Sequence, residues 1–168
     1  MTIIVYRNGE CYADDLCWRG ERVLGRDLKI AWRKKDGAIV AASGSGAACE
    51  KFLKAAMNVR VPKENGTEGE DGVVGFVFMP DGTAREYDGS SYMTLNADYF
   101  AVGAGSDVAI GALIMGASAR EAVQAVLHAN SWASGMHGVG HAGHWEFVDV
   151  EEAFKVIHAN HVPTHPKR

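Results

Sequence analysis

The sequence predicts an α+β fold built on antiparallel sheets, and three observations carry that reading. Residues 2–43 hold four short apolar stretches joined by turn residues, with no helix between them. Helix-forming stretches gather in separate runs instead of alternating one for one with strands. Strands joined by tight turns pair antiparallel, whereas a parallel pair needs a long crossover.

The first strand is Thr2 to Tyr6, β-branched and aromatic, and Asn8-Gly9 supplies a hairpin turn before the return from Glu10 to Cys17. A second pair, Asp27 to Lys34 and Ala38 to Ser43, is joined at Asp36-Gly37. Ser43-Gly44-Ser45-Gly46 then leads into a helix over residues 46–57, with Ala48, Phe52 and Ala56 on one face. A polar loop, residues 58–71, follows. Strands resume at Val73 to Phe78 and return from Thr83 to Tyr87 after the turn Pro80-Asp81-Gly82. Tyr99 to Val102 forms one more buried strand, running through Gly103 and Gly105 into a helix of small apolar residues. The strongest helical signal covers residues 118–130. Ser118 and Glu121 make a capping box there, and Ala119, Ala122, Val123, Val126 and Leu127 form an apolar stripe. A last helix is expected from Asp149, boxed by Glu152, with Ala153, Phe154 and Ile157 inward. Residues 1–168 read as one domain.

Composition narrows the function classes. A net charge of −4 provides no basic field for nucleic acid or anionic lipid. No apolar run reaches the roughly 20 residues that span a bilayer, and the apolar start is too short for a signal peptide. Cys11, Cys17 and Cys49 are odd in number and lack CxxC spacing, which reads as reduced thiols in a cytoplasmic protein.

Thr2 follows the initiator methionine, which is normally trimmed before small residues. A free N-terminal threonine joins a hydroxyl nucleophile to its own α-amine, whose pKa of roughly 7.7–8.0 suits a general base at neutral pH. His137, His141 and His144 have the spacing of a helical metal site, but the surrounding glycines argue for a loop with exposed histidines, so no metal is assigned.

The segments TIIVYRNG, Ala13-Asp14-Asp15, Leu28-Lys29-Ile30, AASGSG, YFAVGAGSDVAIGAL and SAREAV stand in the order and rough spacing found in HslV and proteasome β-subunits, and the chain resembles that family over nearly its whole length except residues 58–71. The resemblance implies a four-layer αββα N-terminal-nucleophile hydrolase sandwich with two antiparallel sheets. It places Thr2 as nucleophile, Lys29 as the lysine beside it, and Asp15 as the acid that holds the lysine, with Asp14 as the rival one register step away. It places Gly46 at the oxyanion-binding amide and Ser106 as the serine that supports the amine. The sequence departs from the family at Ala104, where a serine is usual, and at Ser131, where an aspartate is usual three residues before Ser134-Gly135. It also has one helix where the family has two after the Gly-Ser-Gly turn.

The activity implied is threonine-type peptide hydrolysis without a cofactor, on peptide or unfolded protein. The implied assembly is a homo-oligomer, as a ring or something smaller, with an ATPase unfoldase as a potential partner. A catalytically silent structural or assembly protein of the same fold is the alternative. An amidase acting on a small molecule is a third reading, since fold does not fix substrate.

Overall fold

The computed structural model describes residues 2–19, 22–58, 72–88, 91–96, 98–129 and 135–149. The fold is α+β with antiparallel sheets. The first sheet contains β1 (Ile3–Arg7), β2 (Glu10–Asp14), β10 (Tyr99–Gly103), β11 (Gly135–Gly140) and β12 (Trp145–Asp149), in the order β10-β1-β2-β11-β12. The second is a meander of β5 (Ile30–Arg33), β6 (Ala38–Gly44), β7 (Val73–Phe78), β8 (Thr83–Asp88) and β9 (Ser91–Asn96). A separate hairpin joins β3 (Leu16–Arg19) to β4 (Arg22–Arg26), with a register shift between Cys17 and Trp18. The helices are α1 (Gly46–Met57), α2 (Ser106–Ile114) and α3 (Ala119–Ala129).

Local chemistry explains most of these boundaries. Asn8 and Gly9 both take positive φ, 52° and 83°, as a tight hairpin between twisted strands requires. Ser118 and Glu121 exchange hydrogen bonds at the start of α3: the Ser118 N–H donates to the Glu121 carboxylate at 2.8 Å, and the Glu121 N–H donates to the Ser118 hydroxyl at 3.2 Å. The five residues of the α3 stripe are all buried.

Alternation along the strands divides the core into three clusters. Ile3 and Val5 of β1 pack with Met136 and with Leu113, Val123 and Val126 of α2 and α3. The intervening Ile4 and Tyr6 pack instead with Ile39, Ala41, Phe76 and Phe78 of the second sheet. On the other face of β6, Ala38, Val40 and Ala42 meet Cys49, Phe52 and Ala56 of α1. Tyr6 and Phe78 stack across the two sheets with centroids 4.3 Å apart and planes 2° from parallel.

Several elements depart from the sequence reading, among them β4, which that reading does not contain. The span from Glu10 to Cys17 is not one strand, because β2 stops at Asp14 and β3 starts at Leu16. β9 follows β8, although its mostly exposed residues give no apolar alternation. The glycine-rich stretch Gly135–Gly140 is the buried strand β11 and not a loop. Its glycines admit neighbours: a Cβ at Gly138 would come 2.2 Å from the Tyr12 ring, so the ring lies where a side chain would otherwise stand. Asp149 ends β12; the helix expected after it lies outside the described residues, as do most of the loop at 58–71 and both Ser131 and Ser134. Among the described residues, no helix is long and apolar enough to cross a membrane.

Candidate active site

Thr2 precedes β1 at the edge of a small cavity of about 50 Å³. Its carbonyl accepts the Ala104 N–H at 2.7 Å. This close approach requires glycine at 103: φ there is +103°, and a Cβ would come 1.9 Å from the Thr2 oxygen. Lys29 and Gly46 line the same cavity, together with Cys17, Trp18, Asp27 and Cys49. Thr2 immediately precedes β1 of the first sheet, Lys29 immediately precedes β5 of the second, and Gly46 opens α1, so the cavity lies where three parts of the fold meet.

Lys29 is buried, and two oxygens of the described residues hold its ammonium. The Nζ donates to Asp14 Oδ2 at 2.5 Å and to the Leu16 carbonyl at 2.8 Å. Asp14 is fully buried, and its second oxygen accepts the Ile3 N–H at 2.8 Å. Burial raises the Asp14 carboxyl above the usual carboxylate range, and the Lys29 charge with the Ile3 and Leu16 amides pulls it back. A buried charge of this kind persists only when paired and hydrogen-bonded.

The lysine's carboxylate partner is therefore Asp14, and the assignment of that role to Asp15 is corrected. A single return strand from Glu10 to Cys17 would put residues 13, 15 and 17 on one face. The bend between β2 and β3 breaks the parity, leaving Asp14 at the strand end. Asp15 lies in the bend, where its N–H donates to the Gly135 carbonyl at 3.2 Å and its carboxylate pairs with Arg26 at 2.9 Å.

At Gly46 the backbone supplies donors. The first intrahelical bond of α1 is Cys49 N–H to the Ser45 carbonyl at 2.8 Å, and the Ser45 side chain makes no cap. The amides of Gly46, Ala47 and Ala48 precede that bond and have no acceptor within the helix, which favours negative charge at this end. Ser106 is the first residue of α2, half-buried, and does not line the cavity. Its turn reaches Thr2 through the Ala104 amide.

His137 was not connected to this site by sequence. It is fully buried in β11, and its Nε2 accepts the Lys29 N–H at 3.3 Å, which puts the ring proton on Nδ1. Burial first, and then the Lys29 charge, hold its pKa down to about 4. His141 lies elsewhere, in the β11–β12 turn. One of its ring nitrogens is 2.8 Å from the Gly37 carbonyl and the other 3.1 Å from the Tyr6 hydroxyl. Among the described residues, no three His, Cys, Asp or Glu side chains are grouped to hold a metal ion. A larger cavity, about 770 Å³, opens at the far end of β1 between Glu10, Asp81, Asp98, His141 and His144. It contains none of the residues singled out as nucleophile, lysine or oxyanion donor.

The low pKa of His137 has a signed consequence for stability. Unfolded, the imidazole binds a proton below its ordinary value near 6.5; folded, it resists until about 4. Between these values the unfolded chain holds more protons, so this contribution to stability is lost as pH falls from about 6.5 toward 4, by up to about 3 kcal/mol. Urea unfolding of the native protein and of His137→Gln should diverge in that window, with the native protein losing more. Parallel curves would show that His137 does not carry the effect.

No known protein-family model and no curated protein matches the chain.

Proposed function

We propose that the chain is a threonine-type peptidase subunit with a four-layer αββα architecture of the N-terminal-nucleophile hydrolase kind. The three core clusters support the layered reading: α2 and α3 pack on the first sheet, the sheets pack on each other, and α1 packs on the second sheet. The observation that carries the functional reading is the shared cavity of Thr2, Lys29 and Gly46, with Asp14 buried against the lysine.

The chemistry follows from those positions. In a chain processed to begin at Thr2, the α-amine takes the proton as the hydroxyl attacks a peptide carbonyl. The Lys29 ammonium favours the developing alkoxide, and Asp14 keeps that ammonium charged and placed. The amides at the start of α1 receive the oxyanion. The amine component leaves, and water then hydrolyses the threonine ester. The substrate is a peptide or an unfolded protein, and the working form is a homo-oligomer to which an ATPase unfoldase could deliver substrate.

Ser106 favours a second reading. It does not line the cavity, and alanine stands at 104 where the family has serine, as expected of a silent scaffold subunit. A peptide epoxyketone separates the two readings. Protein processed to Thr2 should form a covalent adduct that peptide mapping locates on Thr2, and Thr2→Ala should take up none. Correctly assembled, processed protein that neither cleaves peptides nor forms the adduct would overturn the peptidase reading in favour of the scaffold.

A further inference from the structure

Two of the three cysteines share the Thr2 cavity, and the proposed chemistry uses neither. Cys17 is a half-buried residue of β3, on the side of the register shift that precedes Trp18. Cys49 lies one turn into α1, buried against the second sheet, and lines the same cavity. The Cys17 sulfur sits over the start of that helix, 4.0 Å from the point a Cβ on Gly46 would occupy. Residues three apart on a helix have Cβ atoms about 5–6 Å apart on one face. The Cys17 sulfur thus lies at the helical turn that carries Cys49; both side chains line one small cavity, and the Cys17 charge acts on Cys49. That cavity has a volume of about 50 Å³.

We propose that Cys17 and Cys49 form a reversible disulfide across this cavity, so that a low-molecular-weight disulfide oxidant closes it and a thiol reopens it. The Cys17 thiolate, the more accessible of the two, attacks one sulfur of the oxidant and releases one equivalent of small thiolate. The Cys49 sulfur then displaces the second equivalent from the mixed disulfide and forms the Cys17–Cys49 bond. The two cysteine protons end on the two departing thiols, and two electrons pass from the cysteines to the oxidant. Burial, with the Asp27 charge beside it, pushes the Cys49 thiol up to about 11, which suits a second, intramolecular step and not the first attack. Cys11 takes no part. It is fully buried between the two sheets, where burial drives its thiol well above the ordinary range.

The bond itself does not depend on the peptidase reading, but its consequence for Thr2 does, so the test reads them separately. The processed, full-length protein is incubated with oxidised glutathione, digested without reduction, and mapped by mass spectrometry. The expected product joins the Cys17 and Cys49 peptides, two hydrogens lighter than their sum. It should form in Cys11→Ser and in neither Cys17→Ser nor Cys49→Ser. In the same samples, epoxyketone labelling of Thr2 should be lost on oxidation and return with dithiothreitol in native protein, and persist under oxidant in Cys17→Ser. A linked peptide without labelling in either redox state would support the thiol pair and overturn the peptidase reading. Labelled protein in which oxidation stops at a glutathione adduct on Cys17, or yields no adduct, would overturn the thiol pair and leave the peptidase reading standing.

Discussion

Lys29→Ala should abolish peptide hydrolysis and weaken the fold in the same variant. On the proposed mechanism the ammonium lowers the barrier because charge develops on the Thr2 oxygen in the same cavity, and loss of one such group costs on the order of 100- to 1,000-fold in rate. The structural cost has a separate origin. Asp14 would remain fully buried with its main counter-charge gone, and breaking a buried pair in this way typically costs about 3–5 kcal/mol. Protonation of Asp14 caps that penalty, so the variant should recover stability, relative to native protein, as pH falls through the raised carboxyl pKa. The double variant Asp14→Leu/Lys29→Met separates the two effects. It removes both charges, should regain most of the fold, and should stay inactive. Denaturant midpoints and cleavage rates measured together decide the matter: a Lys29→Ala protein that is stable and active would remove Lys29 from both roles.

Gly46→Pro should cost about 100- to 1,000-fold in turnover, as for one oxyanion donor, with little change in stability. Proline is tolerated at the first position of a helix, where its missing N–H was never part of the helical ladder. It also requires an extended residue before it, and Ser45 already has φ −63° and ψ 133°. The nearest group to a Cβ at this position, the Cys17 sulfur at 4.0 Å, is at ordinary contact distance. Gly46→Ala keeps the N–H and should keep most of the activity. Equal cleavage rates for the proline and alanine variants would exclude the Gly46 amide as the donor.

The elements legible in the sequence are those whose signal is local. The Asn8-Gly9 turn needs positive φ at adjacent residues, and the α3 start needs one hydroxyl and one carboxylate three residues apart; both are readable without the rest of the chain. β4 and β9 were not legible because they expose most of their residues and carry no alternation. β11 was hidden for the opposite reason. Its glycines are absences of side chain, meaningful only once the Tyr12 ring is seen to occupy the space. The site shows the same division. Thr2, Lys29 and Gly46 were found through an ordered set of short segments, and they line one cavity. The resemblance put the lysine's carboxylate at Asp15, one residue away, since matching short segments does not register a bend that only the pairing with β11 reveals. Two adjacent aspartates left the choice open, and burial resolves it: Asp14 is fully enclosed with the lysine, while Asp15 meets a largely exposed arginine.

The placement of Thr2 on one sheet, with Lys29 and α1 on the other, has a mechanical consequence. At the far end of β1 the sheets are locked: Tyr6 stacks on Phe78, and the His141 ring bridges Tyr6 to the Gly37 carbonyl. Close-packed aromatic contacts resist compression and sliding. Near Thr2 the sheets are tied again, by the Asp14–Lys29 pair and by the Lys29 N–H that donates to His137. On the proposed mechanism the spacing between hydroxyl, ammonium and helix amides is therefore set by contacts at both ends of the inter-sheet core, and turnover becomes a gauge of how firmly the two sheets are clamped.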